Sequence, residues 1–316
     1  MRLTLFYLPL LGISLTHDEH LLRIMIRCFF VLLGMFSRAG SLPVVGYSFS
    51  VAGLLFPYHM GVISSLRAER ALTETTPLNG ASGGALAACC ASTAIGEEMA
   101  LAASIRVAQR CNEERAFLNL GKILRQELMQ LFDENEVMLE TLNERAGQVE
   151  FLWTSVPSME PMRSSPPFPS NAELVDVLCA SSHIPFYSSL IPVTNVGNGW
   201  GVDGFLSAPQ TLGCQPVRGA SSSVFVSPFS SVLSIPSSSS SPSTSSEALE
   251  GDAETSTSFV GNKNTISPRQ EEIPFSPSDY LNLALGNPGP SEEQHAVLFA
   301  LGKKCASRWL SYQQLQ

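Results

Sequence analysis

Hydrophobic and polar positions along the chain follow two patterns, which predict a mixture of strands and helices. Short apolar runs between turn residues are typical of buried β-strands, and apolar residues three or four positions apart are typical of helices that bury one face. Prolines between residues 157 and 169 predict an irregular loop, and Ser170 with Glu173 forms a capping box that opens a helix. The predicted strands cover residues 44–49, 76–79 and 148–153, and the predicted helices cover residues 58–70, 84–94, 97–110, 117–132, 170–179 and an amphipathic stretch after residue 291.

Two segments fall outside this pattern. Residues 1–40 contain two apolar runs, 3–15 and 21–36, on either side of a polar patch, and we interpret them as a targeting or anchoring extension. The extension leaves the location open between secretory, organellar and membrane-associated. Residues 231–277 are rich in Ser and Pro and cannot bury enough apolar surface to offset the entropy of ordering, so they are predicted to be a disordered insertion.

The composition limits the class of protein. The chain has 316 residues, of which 44% are hydrophobic, and that length can bury a sizeable core. It carries 19 basic and 28 acidic residues, for a net charge of −9. An acidic chain without a basic cluster argues against nucleic acid as a partner. The seven cysteines are odd in number and form no Cys-x-x-Cys pair, so we expect buried thiols and neither a disulfide framework nor a metal site.

The main chemical signal is the run Gly80, Ala81, Ser82, Gly83 and Gly84, which fits the G-x-S-x-G nucleophile elbow. It follows a predicted strand and precedes a predicted helix. Glycines on both sides of the serine remove the Cβ atoms that would clash in a sharp strand-to-helix turn. A serine at a helix N-terminus also lies where free N–H groups favour developing negative charge. Ser82 is therefore a candidate nucleophile.

Two weaker signals lie on either side of this motif along the chain. Residues 50–56 follow the first predicted strand, and such a turn can aim backbone N–H groups at a substrate oxygen, with Gly53 allowing close approach. The candidate N–H donors in this turn belong to Ala52, Gly53 and Leu54. Asp203 begins the single Asp-Gly pair of the chain. Asp-Gly pairs are common in plain turns, but a carboxylate near a serine can act as a general base.

Taken in this order, the motifs resemble those of the patatin-like phospholipase family. Residues 178–185 read Leu-Cys-Ala-Ser-Ser-His-Ile-Pro and are similar to the A-S-x-x-I-P segment that precedes the family's aspartate. Residues 58–62 are similar to the helix that follows its oxyanion loop. The resemblance extends over about residues 44–215. The stretch 50–56 is most like the plant and algal branch.

The resemblance implies a three-layer α/β/α fold with a mostly parallel central sheet, in which residues 41–230 are the catalytic domain and residues 278–316 its C-terminal helical part. It implies a Ser–Asp dyad, with Ser82 as nucleophile, Asp203 as base and N–H groups around Gly53 as the oxyanion hole. The implied reaction is hydrolysis of acyl esters in phospholipids or related lipids through an acyl-enzyme, without a cofactor or metal. The expected partners are a lipid substrate and a membrane surface.

Two other interpretations stay open at the level of sequence. The family's oxyanion loop usually begins Asp-Gly-Gly, which residues 50–52 replace with Ser-Val-Ala, and Phe205 stands where the family has Gly or Ala. A catalytically inactive patatin fold that binds lipids or a partner would tolerate both changes. Alternatively, His295 follows Ser82 and Asp203 in the order of a Ser–Asp–His triad.

The predicted helix over residues 117–132 carries an apolar stripe. At helical spacing such a stripe usually belongs to the core, and here it could also face an acyl-chain channel or a membrane. The stripe consists of Leu118, Ile123, Leu124, Leu128 and Leu131.

Overall fold

The structure, a computed structural model, describes residues 44–93, 95–135, 138–230 and 264–315. Within these ranges one sheet of eight strands forms the centre of the fold. The strands are β1 (Val45–Phe49), β2 (Leu78–Ala81), β3 (Val149–Val156), β4 (Pro161–Ser164), β5 (Thr194–Val196), β6 (Gly199–Asp203), β7 (Ser222–Val226) and β8 (Thr265–Ile266). Their order is β5–β6–β3–β2–β1–β7–β8, with β4 also paired to β3. Pairings of β1 with β2 and β7, of β2 with β3 and of β7 with β8 are parallel, whereas β4 and β6 pair antiparallel to their neighbours.

Helices pack against the sheet to give the predicted three-layer α/β/α arrangement. Parallel strands need long crossover connections, which here are mostly helical and bury both faces of the central strands. The described helices are α1 (Phe56–Ala68), α2 (Gly83–Ser92), α3 (Glu97–Glu114), α4 (Leu120–Asp133), α5 (Met138–Glu144), α6 (Asn171–Ser181), α7 (Pro277–Leu285) and α8 (Glu292–Gln314). None of them is long and apolar enough to cross a bilayer.

The carboxyl ends of the parallel strands meet at one edge of the sheet, and this edge brings the two main motifs together. Phe49, the last residue of β1, pairs with Gly80 near the end of β2. The turn at residues 50–55 leaves β1 here, and Ser82 leaves β2 beside it. Ligands of open α/β sheets bind at this kind of edge.

Helix α8 lies along α1 at unusually short range. A Cβ atom on Gly61 of α1 would lie 2.0 Å from the carbonyl oxygen of Phe299, and one on Gly302 of α8 would lie 2.0 Å from that of Tyr58. The two glycines therefore allow the helix backbones to touch. This contact joins the C-terminal helix to the helix that follows the predicted oxyanion loop.

Two predicted irregular regions contain strands. Residues 157–169 include β4, because their main chain pairs with residues 151–154 of β3 even though the prolines suggest a loop. The predicted disordered insertion, 231–277, is too long at its C-terminal end, because Thr265 and Ile266 pair with β7 and Ile266 is buried. Residues 231–263 and the predicted extension 1–40 lie outside the described residues.

Candidate active site

Ser82 occupies a strained turn between β2 and α2. Its backbone has φ 56° and ψ −127°, a conformation that non-glycine residues rarely adopt and that is typical of functional sites. The turn is so tight that a Cβ atom on Gly84 would lie 2.2 Å from the Phe49 carbonyl oxygen, and one on Gly80 would lie 2.1 Å from that of Gly84. The glycines of the motif are therefore required by close approach of the main chain. Ser82 as a whole is 6% exposed.

Asp203 ends β6 next to β3, where it pairs with Trp153. Its own N–H donates to the carbonyl oxygen of His183 at 2.9 Å, which ties it to the segment after α6. One carboxylate oxygen, Oδ1, accepts a hydrogen bond from the N–H of Phe205 at 2.8 Å. Because this donor is a backbone group, the side chain at position 205 does not affect it. The phenylalanine that departs from the family pattern is thus compatible with the local geometry.

The carboxyl group of Asp203 and the hydroxyl of Ser82 are neighbours. Burial raises the pKa of Asp203 from 3.8 to about 6, and hydrogen bonds from the Phe205 N–H and the Ser82 hydroxyl partly oppose that increase. Asp203 is only 5% exposed. The two predicted residues therefore lie close enough for the Ser82 hydroxyl to affect the carboxyl group, and burial shifts the carboxyl pKa toward neutral pH.

The predicted oxyanion loop packs directly on the residue after Ser82. Gly53 has φ +52° and begins the 3₁₀ turn Gly53–Leu55, for which Ala52 is the N-cap. The Gly53 nitrogen lies 3.1 Å from the point that a Cβ atom on Gly83 would occupy. A helical turn leaves its first N–H groups without partners inside the turn. The predicted donors are therefore at the elbow, on a short turn that begins there.

Main-chain hydrogen bonds fix this loop from several sides. The N–H of Ser50 donates to the carbonyl oxygen of Val226 at 2.9 Å, and that of Val51 donates to Leu212 at 2.9 Å. Nε2 of His59 lies 3.0 Å from the Ser50 carbonyl oxygen, so the ring donates a proton there. Burial lowers the pKa of His59 to about 4, which keeps the ring neutral. His59 thus holds the loop in place.

Ser181 makes a contact that the sequence did not indicate. Its hydroxyl accepts the N–H of Ser82 at 2.8 Å and donates to the carbonyl oxygen of Leu152 at 2.6 Å. Ser181 is fully buried. Ser181 lies in the A-S-x-x-I-P segment. No periodicity or spacing in the sequence could predict that its hydroxyl contacts the Ser82 N–H, 99 residues away. The contact ties the strained turn to β3 and α6.

The other candidate for a base, His295, has partners elsewhere. Its Nδ1 lies 2.9 Å from the Ser291 carbonyl oxygen and its Nε2 lies 3.0 Å from Oγ of Ser104. Burial lowers its pKa. Both ring nitrogens are thus engaged between α8 and α3. The structure therefore does not support a Ser–Asp–His triad, because neither ring nitrogen of His295 bonds to Ser82 or Asp203.

Among the described residues, no group of three His, Cys, Asp or Glu side chains is arranged to hold a metal ion. The six cysteines within these ranges are buried and free of disulfides. Burial raises the pKa of Cys179, for example, to about 12, so this thiol stays protonated at neutral pH.

An apolar cleft begins at the oxyanion loop. Gly53 and Leu54 are part of its lining, together with residues of α2, α3 and α4 that include Phe132. The cavity volume of this cleft is about 70 Å³. Glu127 is the one charged residue of the lining, and Arg106 neutralises it at 2.9 Å. The predicted stripe on α4 contributes Leu124, Leu128 and Leu131 to this lining.

Comparison with known proteins agrees with this geometry. Residues 48–211, which are 164 of the 316, match the family described as patatin-like phospholipase. The fold is similar to that of VipD from Legionella pneumophila, with a TM-score of 0.52 over 86% of this chain and 67% of VipD, at 12% sequence identity. No curated protein sequence matches the chain. The predicted similarity to the plant and algal branch stays a prediction. On the extent of the family match, the chain belongs to the patatin-like phospholipase family, a family of lipid acyl hydrolases.

Proposed function

We propose that this protein hydrolyses carboxylic esters of phospholipids or related acyl lipids, with Ser82 as nucleophile and Asp203 as general base. The observation that carries the proposal is the pair itself, a serine in a strained elbow whose hydroxyl contacts a buried carboxylate. Strained backbone and a carboxyl pKa shifted toward neutrality together are typical of catalytic sites.

The chemistry follows from the positions of these groups. The Asp203 carboxylate takes the hydroxyl proton of Ser82 as Oγ forms a bond to the ester carbonyl carbon. The carbonyl oxygen then becomes an oxyanion, and the N–H groups of Ala52, Gly53 and Leu54 are its proposed donors. The C–O bond to the alcohol breaks, and the alcohol leaves with the proton from Asp203. Water, deprotonated by the same carboxylate, releases the fatty acid from Ser82.

Backbone donors make the altered loop sequence compatible with this role. The Ser-Val-Ala replacement at residues 50–52 leaves the N–H groups unchanged, and Gly53 still supplies the positive φ. The N–H of Ser82 is not among the donors, because Ser181 accepts it. The loss of one oxyanion donor typically costs about 10²–10³ in rate.

The apolar cleft supports a lipid acyl group as the part of the substrate that is recognised. It starts at the proposed oxyanion donors and is lined almost entirely by hydrocarbon side chains. A fatty acyl chain gains free energy by leaving water for such a lining, whereas a polar substituent would lose its hydrogen bonds.

We expect Ala103→Trp to shorten the acyl chain that the enzyme accepts. Ala103 lines the cleft on α3, so a tryptophan there would fill it. The kcat/KM for p-nitrophenyl palmitate should fall by about tenfold or more, while that for the butyrate ester should change less than about twofold. Ala102→Trp is the matched control, because Ala102 is exposed on the same helix. Equal losses of kcat/KM for the two esters would show that the cleft does not bind the acyl chain.

Ser181→Ala should lower kcat with little effect on KM. The substitution leaves the Ser82 N–H without its partner, so the elbow loses a constraint on the nucleophile. Misplacement of a reacting group by about 1 Å can cost about 10²-fold in rate. Ser182→Ala is the control, since the buried Ser182 hydroxyl makes no hydrogen bond with the described residues. Unchanged kcat for Ser181→Ala would show that the hydroxyl does not position the nucleophile.

The direct test of the proposed function uses two measurements on the full chain. A fluorophosphonate probe should label Ser82 covalently, and mass spectrometry of the labelled peptide identifies the site. Phosphatidylcholine vesicles should release free fatty acid, measured by chromatography of the products. Lipid binding without labelling or fatty acid release would favour the inactive lipid-binding fold.

A further inference from the structure

Large apolar side chains are exposed around the mouth of the proposed active site. Leu190 is 76% exposed in the loop between α6 and β5, and Trp200 is exposed on β6, three residues before Asp203. Trp200 pairs with Val156, the last residue of β3, which puts it at the carboxyl edge of the sheet, where Ser82 also lies. We call this set the apolar rim; it consists of Phe117, Phe186, Leu190, Ile191, Trp200 and Leu206.

The rim is held in place by hydrogen bonds of its own loop. The carbonyl oxygen of Tyr187 accepts the N–H of Leu118 at 2.6 Å, and that of Ser188 accepts the N–H of Gly121 at 2.9 Å. The Tyr187 hydroxyl donates to the Leu285 carbonyl oxygen at 2.9 Å. The polar groups of the loop thus point inward, toward α4 and α7. Apolar side chains are left facing outward by a loop that is tied to the fold.

The same part of the sequence carries almost no charge. Residues 177–217 contain one acidic residue, Asp203, and no lysine, arginine or further acidic residue, in a chain with a net charge of −9. Asp203 is buried. Protein surfaces that face water usually carry charges of both signs. A fixed, uncharged and apolar rim is therefore a surface that is not suited to remain in water.

The rim also joins the catalytic residues directly. Nε2 of His183 lies 3.0 Å from the Ile191 carbonyl oxygen, and the His183 carbonyl oxygen accepts the N–H of Asp203. Leu206 lies in the 3₁₀ turn Gly204–Ser207 that follows Asp203. Anything that covers the rim therefore lies next to the segments that hold the proposed dyad.

We infer that the apolar rim docks the protein on the surface of a lipid bilayer, by insertion of uncharged side chains and without attraction to anionic headgroups. The inference rests on the proposed function, since docking at this place would present an acyl chain to Ser82. The part of the rim within residues 177–217 has no basic residue, so it gains nothing from anionic lipid. Its affinity instead grows with the apolar area that enters the acyl region.

The test measures binding of the full chain to phosphatidylcholine vesicles in a Ser82→Ala background, where no lipid is consumed. The double substitution Leu190→Ser and Ile191→Ser should lower the partition coefficient, measured by flotation, by about tenfold or more. Met99→Ser is the matched control, because Met99 is exposed on α3, outside the rim, and it should bind like the parent. Binding should be unchanged between about 0.05 and 0.5 M NaCl.

A second readout reports insertion itself. Brominated phosphatidylcholine should quench part of the tryptophan fluorescence, and Trp200→Phe should remove that part. Equal vesicle binding by the double variant and the parent, loss of binding in high salt, or absence of quenching at Trp200 would each overturn the inference. The inference would also be overturned if the parent protein forms a dimer that does not bind vesicles and that dissociates on the double substitution. Because binding is measured without turnover, failure of hydrolysis in the unsubstituted protein would count against the proposed function alone.

Discussion

Replacement of Ser82 by alanine is expected to reduce hydrolysis of p-nitrophenyl butyrate by at least about 10³-fold, to near the uncatalysed rate. The nucleophile is lost and no other hydroxyl takes its place in the elbow, since the Ser181 hydroxyl is bound to Leu152. Asp203→Asn should cost about 10²–10⁴-fold, the usual contribution of a general base. An asparagine oxygen can still accept the Phe205 N–H, so the loss would report the missing base.

Two matched variants separate loss of chemistry from loss of structure. Ser92→Ala removes a buried hydroxyl that has no hydrogen-bond partner among the described residues. Asp176→Asn removes a carboxylate of α6 that pairs with Arg125 of α4. Both should retain activity within about twofold, because surface and unpaired polar groups contribute little. Circular dichroism should show the same fold for all four variants. Activity retained by Ser82→Ala or Asp203→Asn would contradict the dyad.

The second large effect is a dependence of activity on the ionisation of Asp203. Its pKa of about 6 follows from burial, and the carboxylate acts as a base only when it is ionised. The kcat/KM for a soluble ester should therefore reach a plateau above about pH 7 and fall about tenfold for each pH unit below 6. If kcat/KM stays constant between about pH 4.5 and 7, the general base is a group other than Asp203.

The same shift predicts an opposite effect on stability. Because the folded protein binds the Asp203 proton more tightly than the unfolded chain, this group stabilises the fold most below about pH 4, near its ordinary value of 3.8. That contribution is lost as the pH rises through about 6, and the buried charge then costs about 3 kcal/mol, from a shift of about two units. Asp203→Asn should thus raise the free energy of unfolding at pH 8 relative to the parent. Urea denaturation at pH 5 and pH 8 measures the difference; no gain at pH 8 would contradict the raised pKa.

Much of the site could be predicted because its elements depend on local rules. Glycine around Ser82 follows from the sharp turn between a strand and a helix, and the structure shows carbonyl oxygens within 2.2 Å of the missing Cβ atoms. The apolar run of β1 and the helical spacing of apolar residues in α1 and α4 predicted these elements within a few residues of their observed ends, because burial selects apolar residues along each element. The order of the motifs indicated the family, which the match over residues 48–211 establishes.

Other features were beyond such rules because their partners are distant in sequence. Strands β4 and β8 exist through main-chain bonds to β3 and β7, whereas β4 begins with a proline and β8 is only two residues long, in a polar stretch of sequence. Likewise, the roles of the Ser181 hydroxyl and the His59 ring depend on the main-chain carbonyl and N–H groups that they contact. Hydrogen bonds of this kind leave no periodicity in the sequence.

The amino-acid sequence alone determined the elbow, the two candidate residues and the class of fold, since each depends on residue types at short spacing. Tertiary structure decided the rest: that Asp203 is buried against Ser82 with a raised pKa, that His295 bonds elsewhere, and that an apolar cleft opens at Gly53. The physical reason is that desolvation and hydrogen bonding depend on which segments surround a group. Those neighbours are fixed only when the strands have paired and the helices have packed.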